Sequence, residues 1–198
     1  MSLLSLIQGV ADRVGAPLTA TIIGSTDSNT RRLLALAQEE GKQLASRDNF
    51  AWQVLQKEYT FQTVISQEAY SLPSDFAKLM NETVYDRSRN RYVVGPIDYK
   101  TWNSQKAMLV TRVDPGFRLR GNQILIMPVP TAVSTIAFEY VSKNWCKSAS
   151  DTEQNAWAAD TDTGILDEDL MALGIVWRWL KSQGFDYAEE FNTYESAV

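Results

Sequence analysis

The feature that most constrains the fold is a pair of strand-like runs joined by Gly121-Asn122. Glycine at the first central position suits a two-residue type II′ turn, which joins antiparallel strands. The run before the turn, residues 117–120, alternates apolar side chains with arginines, which is the period of a half-buried strand. The run after it, residues 124–127, is apolar throughout, which predicts a strand covered on both faces. The sequence therefore predicts an antiparallel hairpin within a β core.

A third strand is predicted after Pro128 and Pro130, which end the second strand because proline cannot donate to a ladder. In this third run Ile136, Phe138 and Tyr140 point to one face, while polar residues point to the other. We interpret the three runs as a three-stranded meander with helices packed around it.

Further strands are predicted upstream of this hairpin. Residues 59–63 and 69–72 have the composition of strands, and residues 82–99 have the pattern of another hairpin. Residues 98–108 predict a helix whose Trp102 turns inward. The centre of the chain is thus predicted to be mostly antiparallel β-structure.

Helical patterns occupy the first part of the chain. Residues 2–14 carry an apolar stripe, and Ser2 is placed to cap this helix. Residues 29–47 form a second amphipathic pattern, which Asp27 or the serine after it can cap. Gly41 lies inside the second helix and has two interpretations. It is either a local weakness or a point where another backbone approaches closely.

The strongest helical pattern lies near the end of the chain, between Asp167 as N-cap and Gly184 as C-cap. A short final helix is predicted from Asp186, with Glu189 at capping-box spacing. The apolar stripe of the longer helix is formed by Leu170, Leu173, Trp177 and Leu180.

These patterns define an α+β fold, in which an α-helical body carries an inserted antiparallel β domain. We assign residues 1–50 and 165–198 to the body and residues 51–146 to the β domain. Residues 147–164 are polar, acidic and rich in small side chains, which indicates a long surface loop. Loops of this length are often functional.

The composition excludes several classes of chemistry. The chain has no histidine, so it lacks the commonest general base and the commonest transition-metal ligand. The single Cys146 rules out an internal disulfide, and a net charge of -5 weighs against a dedicated nucleic-acid binder. We predict no signal peptide, and no apolar run approaches the roughly 20 residues of a membrane span. We therefore expect no catalytic residue, no metal, no cofactor and no membrane association.

Carboxylate chemistry is the enzymatic alternative that remains. A hydrolase of this kind would use acids grouped before and at the start of the long C-terminal helix. These acids are Asp160, Asp162, Asp167, Glu168 and Asp169. Their spacing matches no recognised catalytic or metal-binding motif, so the hydrolase is the weaker alternative.

The hairpin predicted at residues 82–99 carries Arg87, Arg89 and Arg91 at alternate positions of its connection. The ordinary interpretation of such a run is a solvated hairpin tip. The functional interpretation is a tip that binds the carboxylates or phosphates of a partner, because arginine forms paired hydrogen bonds with both groups.

Four stretches resemble one protein family. They are FEYVSKNW at residues 138–145, LDEDLMALGIVWRWLKSQGFDYAEEFNTYE at 166–195, EYTFQTVISQEAYSLPSDFAKL at 58–79 and GPIDYKTW at 95–102. Together they resemble the head-to-tail adaptor (connector) proteins of tailed bacteriophages. This family is similar in architecture to the tail-tubular and gatekeeper ring proteins of podoviruses. The resemblance covers about residues 30–195 and contains no catalytic motif.

The resemblance implies a structural virion protein. Its expected assembly is a ring, usually dodecameric, docked between the portal protein and a downstream tail protein such as a nozzle or tail terminator. DNA would pass through the central channel without sequence-specific binding, and acidic walls would favour sliding. The expected location is the head–tail interface of the virion, after synthesis in the host cytoplasm. A binding module of a tail fibre or baseplate is the alternative of another class.

The resemblance also implies that the C-terminal region engages the portal. The candidate contacts are four aromatic residues in an acidic context, Phe185, Tyr187, Phe191 and Tyr194. The alternative is that these aromatics pack on the protein's own core. We predict that deletion of residues 186–198 leaves a folded, soluble protein that no longer binds portal, whereas failure to fold would favour core packing. The arginines at positions 87, 89 and 91 are the second candidate, for a neighbouring subunit or the tail.

Overall fold

The computed structural model describes residues 2–47, 52–108 and 114–198, which fold into two compact units. The helical unit comprises Met1–Leu55 with Lys143–Val198, and the β unit comprises Gln56–Ser142. In the helical unit, helices from both ends of the chain pack together, and the β unit is built from antiparallel sheets. The predicted α+β class is therefore confirmed.

The elements have the following bounds. The helices are α1 (Leu3–Val14), α2 (Ser28–Ala45), α3 (Tyr99–Ala107), α4 (Glu168–Gln183) and α5 (Ala188–Ala197), with a short 3-10 helix at Gln53–Leu55. The strands are β1 (Gln56–Gln62), β2 (Ala69–Ser71), β3 (Phe76–Leu79), β4 (Tyr85–Asp86), β5 (Arg91–Tyr92), β6 (Gly116–Arg120), β7 (Gln123–Met127), β8 (Thr135–Ser142), β9 (Cys146–Lys147), β10 (Glu153–Gln154) and β11 (Thr163–Gly164).

The predicted caps of α1, α2 and α4 are confirmed. The side chains of Ser2, Asp27 and Asp167 each accept a hydrogen bond from the backbone N–H three residues later. These bonds satisfy donors that the first turn of a helix leaves free. At the C-termini of α1 and α4, Gly15 and Gly184 adopt the left-handed conformation, with φ of 66° and 79°.

The β unit is organised around β8, which is paired along both edges. β1 runs antiparallel to one edge, from Gln56 opposite Val141 to Gln62 opposite Thr135. β3 and β4 share the other edge, and β5 extends this sheet beyond β4. A second sheet has the order β2-β7-β6. In it β6 and β7 form the predicted hairpin, with Gly121 at φ 59°.

The predicted meander is wrong in its third strand. β8 belongs to the first sheet, and the edge of β7 that a meander would use is occupied by β2. Residues 128–134 carry the chain from one sheet to the other. Pro128 and Pro130 in this connection interrupt the ladder, as expected for residues without an N–H donor.

Side chains from both sheets of the β unit share one apolar core. Phe138 on β8 is fully buried and contacts the rings of Tyr59, Phe61 and Phe76. The buried members of this core are Tyr70, Leu72, Leu79, Val84, Val93, Phe117, Ile124, Ile126, Ile136, Phe138 and Tyr140. Burial of these apolar and aromatic side chains is the main stabilising contribution in the β unit.

β7 is covered on both faces, as its continuous apolar sequence predicts. Ile124 and Ile126 face the shared core. Leu125 and Met127 alternate with them and pack with Trp102 of α3 on the opposite face. The helix predicted at residues 98–108 is therefore confirmed, with its tryptophan inward as expected.

In the helical unit, α4 packs against α1, α2 and α5. The predicted apolar stripe of α4 is only partly correct, because Leu170 is buried but Leu173, Trp177 and Leu180 are half-buried. Ile175, outside the predicted stripe, is fully buried. Three helices cover α4, so its buried surface is wider than a single stripe.

A tryptophan pair packs beside α2. The rings of Trp145 and Trp157 meet edge to face with centroids 5.1 Å apart, and both side chains are buried. The Trp145 ring occupies the space that a Cβ atom on Gly41 would need. Close approach is therefore the correct interpretation of Gly41, but the approaching group is a side chain and not a backbone.

Residues 147–164, predicted as a long surface loop, contain regular structure. The two-residue strand β9 pairs with both β10 and β11. Trp157 in this segment is buried. The carboxylate of Asp162 accepts hydrogen bonds from the N–H groups of Ala158 and Ala159, at 2.7 and 2.9 Å. The segment is thus held by its own backbone and by a buried acid.

We predict that Gly41→Ala destabilises the protein by about 1–3 kcal/mol, because the added methyl must displace the Trp145 ring in a packed core. Gly9→Ala is the matched control, since Gly9 lies in α1 with open space around it. That control should be neutral or stabilising by up to about 1 kcal/mol, the helix-propensity difference. Urea denaturation followed by tryptophan fluorescence measures both. A Gly41→Ala variant as stable as Gly9→Ala contradicts the packing argument.

Candidate protein-interaction surfaces

The arginine hairpin is held by its own side chains. β4 and β5 pair through Tyr85 with Tyr92 and Asp86 with Arg91. The buried Asp86 carboxylate accepts hydrogen bonds from the N–H groups of Ser88 and Arg89, both at 3.1 Å. These bonds are typical of an Asx-type turn, so the tip has a defined conformation.

The structure separates the three predicted arginines. Arg87 forms an ion pair with Glu58 at 2.6 Å on the exposed surface of the sheet. Arg89 and Arg91 border a cavity of about 390 Å³. Within the described part of the chain, the guanidinium of Arg89 has no ion-pair or hydrogen-bond partner. Arg89 is therefore the cation that is available to a ligand.

This arginine cavity is apolar behind its charged rim. Its apolar lining consists of Val93, Pro115, Ile126, Pro128, Val129, Pro130, Ala132 and Ile136. Its volume lies in the range of about 300–1,000 Å³ that is typical of ligand-binding pockets in proteins. Arg89, Arg91 and Asp86 are its charged lining residues, and Arg89 is the available one. An apolar wall beside an available cation suits an apolar side chain that has a carboxylate next to it.

Exposed apolar loops lie beside the cavity. The turn at residues 63–67 is bonded to the connection at residues 128–134, by Thr63 N–H to Ser134 O at 2.8 Å and Ser66 N–H to Pro130 O at 2.9 Å. The exposed apolar side chains of these loops are Val64, Ile65, Val129 and Val133. Apolar side chains exposed next to each other indicate an interaction site.

We call this composite surface, residues 63–67, 86–91 and 128–134, the arginine end of the β unit. The hairpin tip joins it because the N–H of Arg87 donates to Thr135 O at 2.8 Å. Only the arginines of this surface were predicted from the sequence. The apolar loops were missed because each contributes one or two residues, and only the sheet pairing brings them together.

The C-terminal aromatics are divided by the structure. Tyr187, Phe191 and Tyr194 surround the Trp177 ring, with centroid separations of 6.2, 5.1 and 6.1 Å. Tyr194 is buried, while Phe185 is 61% exposed. Core packing is therefore correct for Tyr194, and Phe185 is the aromatic of the four that is displayed to solvent.

A buried ion pair lies under Tyr194. The carboxylate of Glu40 on α2 meets the guanidinium of Arg178 on α4, and both residues are buried. Arg178 also donates to Gly174 O at 3.0 Å and to Gln43 Oε1 at 2.6 Å. Gly174 leaves the space in which the Glu40 carboxylate sits. Tyr194 of α5 packs over this pair, with its ring 5.8 Å from the Arg178 guanidinium, so α2, α4 and α5 meet at this point.

Burial raises the pKa values of the two acidic groups in this cluster. Loss of hydration raises the pKa of Glu40 to about 7, although the adjacent Arg178 guanidinium opposes the rise. Burial and the nearby Glu40 charge also raise the pKa of Tyr194. The hydroxyl therefore remains protonated and can donate a hydrogen bond to Glu40.

The final helix is also tied down at its surface. Arg47 forms an ion pair with Glu195 at 2.7 Å and lies over the Tyr194 ring. α5 begins at Ala188, two residues after the predicted start, and Asp186 accepts a hydrogen bond from its N–H at 3.1 Å. Deletion of residues 186–198 would uncover Trp177 and the Glu40 cluster, so we now expect it to destabilise the helical unit.

The acids proposed for a hydrolase have structural partners. Asp160 accepts hydrogen bonds from the N–H groups of Ile22 and Ile23 at 3.0 and 2.7 Å. Asp162 orders its own segment, Asp167 caps α4, and Glu168 and Asp169 lie in the first turn of that helix. Acids in a first helical turn are stabilised by the helix dipole. Each candidate therefore has a structural explanation.

Residues 2–47, 52–108 and 114–198 contain neither a candidate metal site nor a candidate membrane span. In these ranges no group of three histidine, cysteine or acidic side chains is placed to hold a metal ion. No helix in the same ranges is long and apolar enough to cross a membrane. Cys146 is buried, and burial together with Asp162 raises the pKa of its thiol to about 12.

Exposed apolar loops beside an available arginine are the chemistry of a protein-interaction surface. The family model of the SU10 adaptor protein matches residues 1–197. The chain therefore belongs to the SU10 adaptor protein family, which consists of phage head-to-tail adaptors. The resemblance predicted from the sequence is thereby confirmed and extends over nearly the whole chain. No curated protein matches the sequence.

We predict that the stability of the protein falls as pH rises through the titration of Glu40. Its pKa is about 7 in the folded chain and 4.5 in the unfolded reference. The folded state therefore holds an extra proton between these values, and this contribution is present below pH 4.5 and lost above 7. Relative to Glu40→Gln, the free energy of unfolding of the wild type should drop by about 3 kcal/mol at most over this interval.

Urea denaturation at pH 5 and pH 8 measures this difference. Glu39→Gln is the matched control, because Glu39 is the exposed neighbour on the same helix. The control should follow the pH profile of the wild type. If Glu40→Gln also follows that profile, Glu40 does not titrate in this interval.

Proposed function

We propose that the chain forms a ring between the portal and the tail of a phage, with a central channel through which DNA passes. The observation that carries this proposal is the family match over residues 1–197, which includes both structural units. A closed channel requires a heterologous interface, in which different surfaces of neighbouring copies meet. The ring is expected to contain twelve copies, on the resemblance to dodecameric adaptors.

The portal contact is proposed for the C-terminal segment. Of its aromatics Phe185, Tyr187, Phe191 and Tyr194, the first is exposed, and the other three contact Trp177 and give this region its shape. Aromatic side chains are enriched among residues that dominate binding energy at protein interfaces. Phe185 is therefore the proposed anchor of portal binding, supported by the ordered cluster next to it.

The arginine end is proposed to contact a neighbouring copy or the downstream tail protein. Its support is the available Arg89 together with the exposed apolar loops around it. Contact with DNA in the channel is proposed to be weak and independent of sequence. A net charge of -5 favours sliding of the DNA, because acidic surfaces repel phosphates. The proposed function involves no cofactor and no catalytic step, and its proposed location is the head–tail interface of the virion.

We predict that the purified protein is monomeric alone and forms rings on its cognate portal. Native mass spectrometry measures the mass of the free and bound species, and negative-stain microscopy shows whether portal particles are decorated. Portal particles that remain bare in the presence of excess protein would contradict the proposal.

Two serine variants locate the portal contact. Phe185→Ser removes the exposed aromatic and should reduce co-sedimentation with portal by about tenfold or more. Val54→Ser is the matched control, because Val54 is a similarly exposed apolar residue of the helical unit. Equal binding by both variants rejects Phe185 as the anchor.

We predict that Arg87→Ser/Arg89→Ser/Arg91→Ser reduces tail attachment without unfolding the protein. Surface substitutions usually change stability by less than about 0.5 kcal/mol, and the ion pair of Arg87 with Glu58 is solvent-exposed. The control Arg13→Ser/Arg31→Ser/Lys100→Ser removes the same charge from other exposed positions. Thermal melting reports the fold, and the fraction of infectious, tailed particles reports attachment. Normal yield with the first variant indicates a tip that is merely solvated.

A further inference from the structure

The two faces of the β5 segment differ in chemistry. Because side chains alternate along a strand, Arg91 and Val93 point to one face and Tyr92 and Val94 to the other. Arg91 and Val93 line the arginine cavity. Tyr92 and Val94 are 66% and 50% exposed. These exposed fractions leave the side of Tyr92 and Val94 open to a partner.

The exposed side of β5 forms a second candidate surface, which we call the tyrosine face and define as Glu82, Tyr92 and Val94. These residues border a shallow depression of about 370 Å³. Tyr92 is supported by Tyr85, whose ring meets it edge to face at 5.0 Å between centroids. Among the described residues, the carboxylate of Glu82 has no ion-pair or hydrogen-bond partner. The tyrosine face therefore displays an aromatic ring, an aliphatic side chain and an available acid.

The tyrosine face and the arginine cavity are complementary. One displays an aromatic ring beside an available carboxylate, and the other is an apolar cavity beside the available guanidinium of Arg89. Val93 borders both, and Tyr92 alternates with the cavity residues Arg91 and Val93, so the Tyr92 ring cannot enter the cavity of its own chain. The two surfaces can meet only between copies, and a pair of copies then keeps one free tyrosine face and one free arginine cavity. Such a contact is heterologous and closes into a ring when the rotation between copies permits it.

We infer that neighbouring copies of the chain associate head to tail through their β units. Tyr92 of one copy enters the arginine cavity of the next, and the Glu82 carboxylate pairs with the Arg89 guanidinium. This inference rests on the proposed ring and assigns the arginine end to the contact between its subunits. An aromatic anchor in a pocket, flanked by a charge pair, is the arrangement found in interface hot spots.

Charge and polarity favour this occupant over nucleic acid. A phosphate backbone would be bound by Arg89 but has no apolar group for the prolines and valines that line the cavity. The tyrosine face satisfies both parts of the cavity at once. Burial of Tyr92 and Val94 also removes two exposed apolar side chains from water.

Disulfide trapping between two single-cysteine variants tests the contact. Thr131→Cys lies in the lining of the cavity, and Asn81→Cys lies next to Glu82 on the exposed surface. Neither substitution removes Tyr92, Glu82 or Arg89. The native Cys146 is buried and its thiol remains protonated, so it does not compete. The two variants are mixed as full-length proteins, concentrated or bound to portal, and oxidised with copper phenanthroline.

The mixture should give a disulfide-linked heterodimer. Asn122→Cys replaces Asn81→Cys as the control, since Asn122 is exposed on the turn between β6 and β7. The heterodimer yield should exceed this control by about tenfold or more. Introduction of Tyr92→Ser into the Asn81→Cys chain should bring the yield down to the control.

Charge reversal identifies the polar partners. Arg89→Glu in the Thr131→Cys chain should reduce the heterodimer, and Glu82→Arg in the Asn81→Cys chain should restore it. Restoration by the second reversal is specific to a direct pair, because two unrelated defects would combine instead.

The results separate this inference from the proposed function. Rings on portal without a heterodimer above control, in either the concentrated or the portal-bound sample, overturn the inference and leave the ring intact. A heterodimer that is insensitive to Tyr92→Ser also overturns it. A heterodimer that depends on Tyr92 and on the charge pair supports the inference, even if portal particles stay bare.

Discussion

Removal of the Glu40 carboxylate and the Arg178 guanidinium from water costs several kcal/mol for each ion, which their attraction offsets only with good geometry and further hydrogen bonds. Arg178 donates such bonds to Gly174 and Gln43, and Tyr194 packs over the pair, but the raised pKa of Glu40 means that part of the cost remains. Since these groups come from α2, α4 and α5, the ion pair is satisfied only when all three helices are in place. The position of the C-terminal segment therefore depends on a polar contact inside the helical unit.

The β unit pairs and covers its central strands within itself. Its longest strand, β8, has neighbours on both edges, so its backbone donors and acceptors are used within the unit. The apolar strand β7 is covered by the core on one face and by Trp102 on the other. The side chains left exposed for contacts with partners lie in the loops and on the edge strand β5. This division leaves the core to hold the shape and the surface loops to determine recognition.

Local features were predictable from sequence, and long-range pairing was not. The caps at Ser2, Asp27 and Asp167 depend on residues within one turn, and the hairpin at Gly121 depends on two adjacent strands. The partner of β8 depends on β1, more than seventy residues away in the chain, which no local pattern reports. The meander was wrong for this reason.

The candidate surfaces follow the same rule. Arg87, Arg89 and Arg91 were visible as a run, whereas the apolar loops beside them required the sheet pairing. The burial of Glu40 could have been predicted from the sequence. It lies seven residues after Leu33 and therefore on the buried stripe of α2. A charged residue at such a position needs a buried partner.

The thiol of Cys146 is buried and therefore shielded from oxidants in solution. The proposed function would take the chain from a reducing cytoplasm into oxidising surroundings. Oxidation and disulfide exchange proceed through the thiolate, and a thiol with a pKa of about 12 forms almost none at neutral pH. Cys146 is the single cysteine of the chain, so no internal disulfide can form in either environment. Burial of its thiol therefore protects the protein from cysteine oxidation in a released virion.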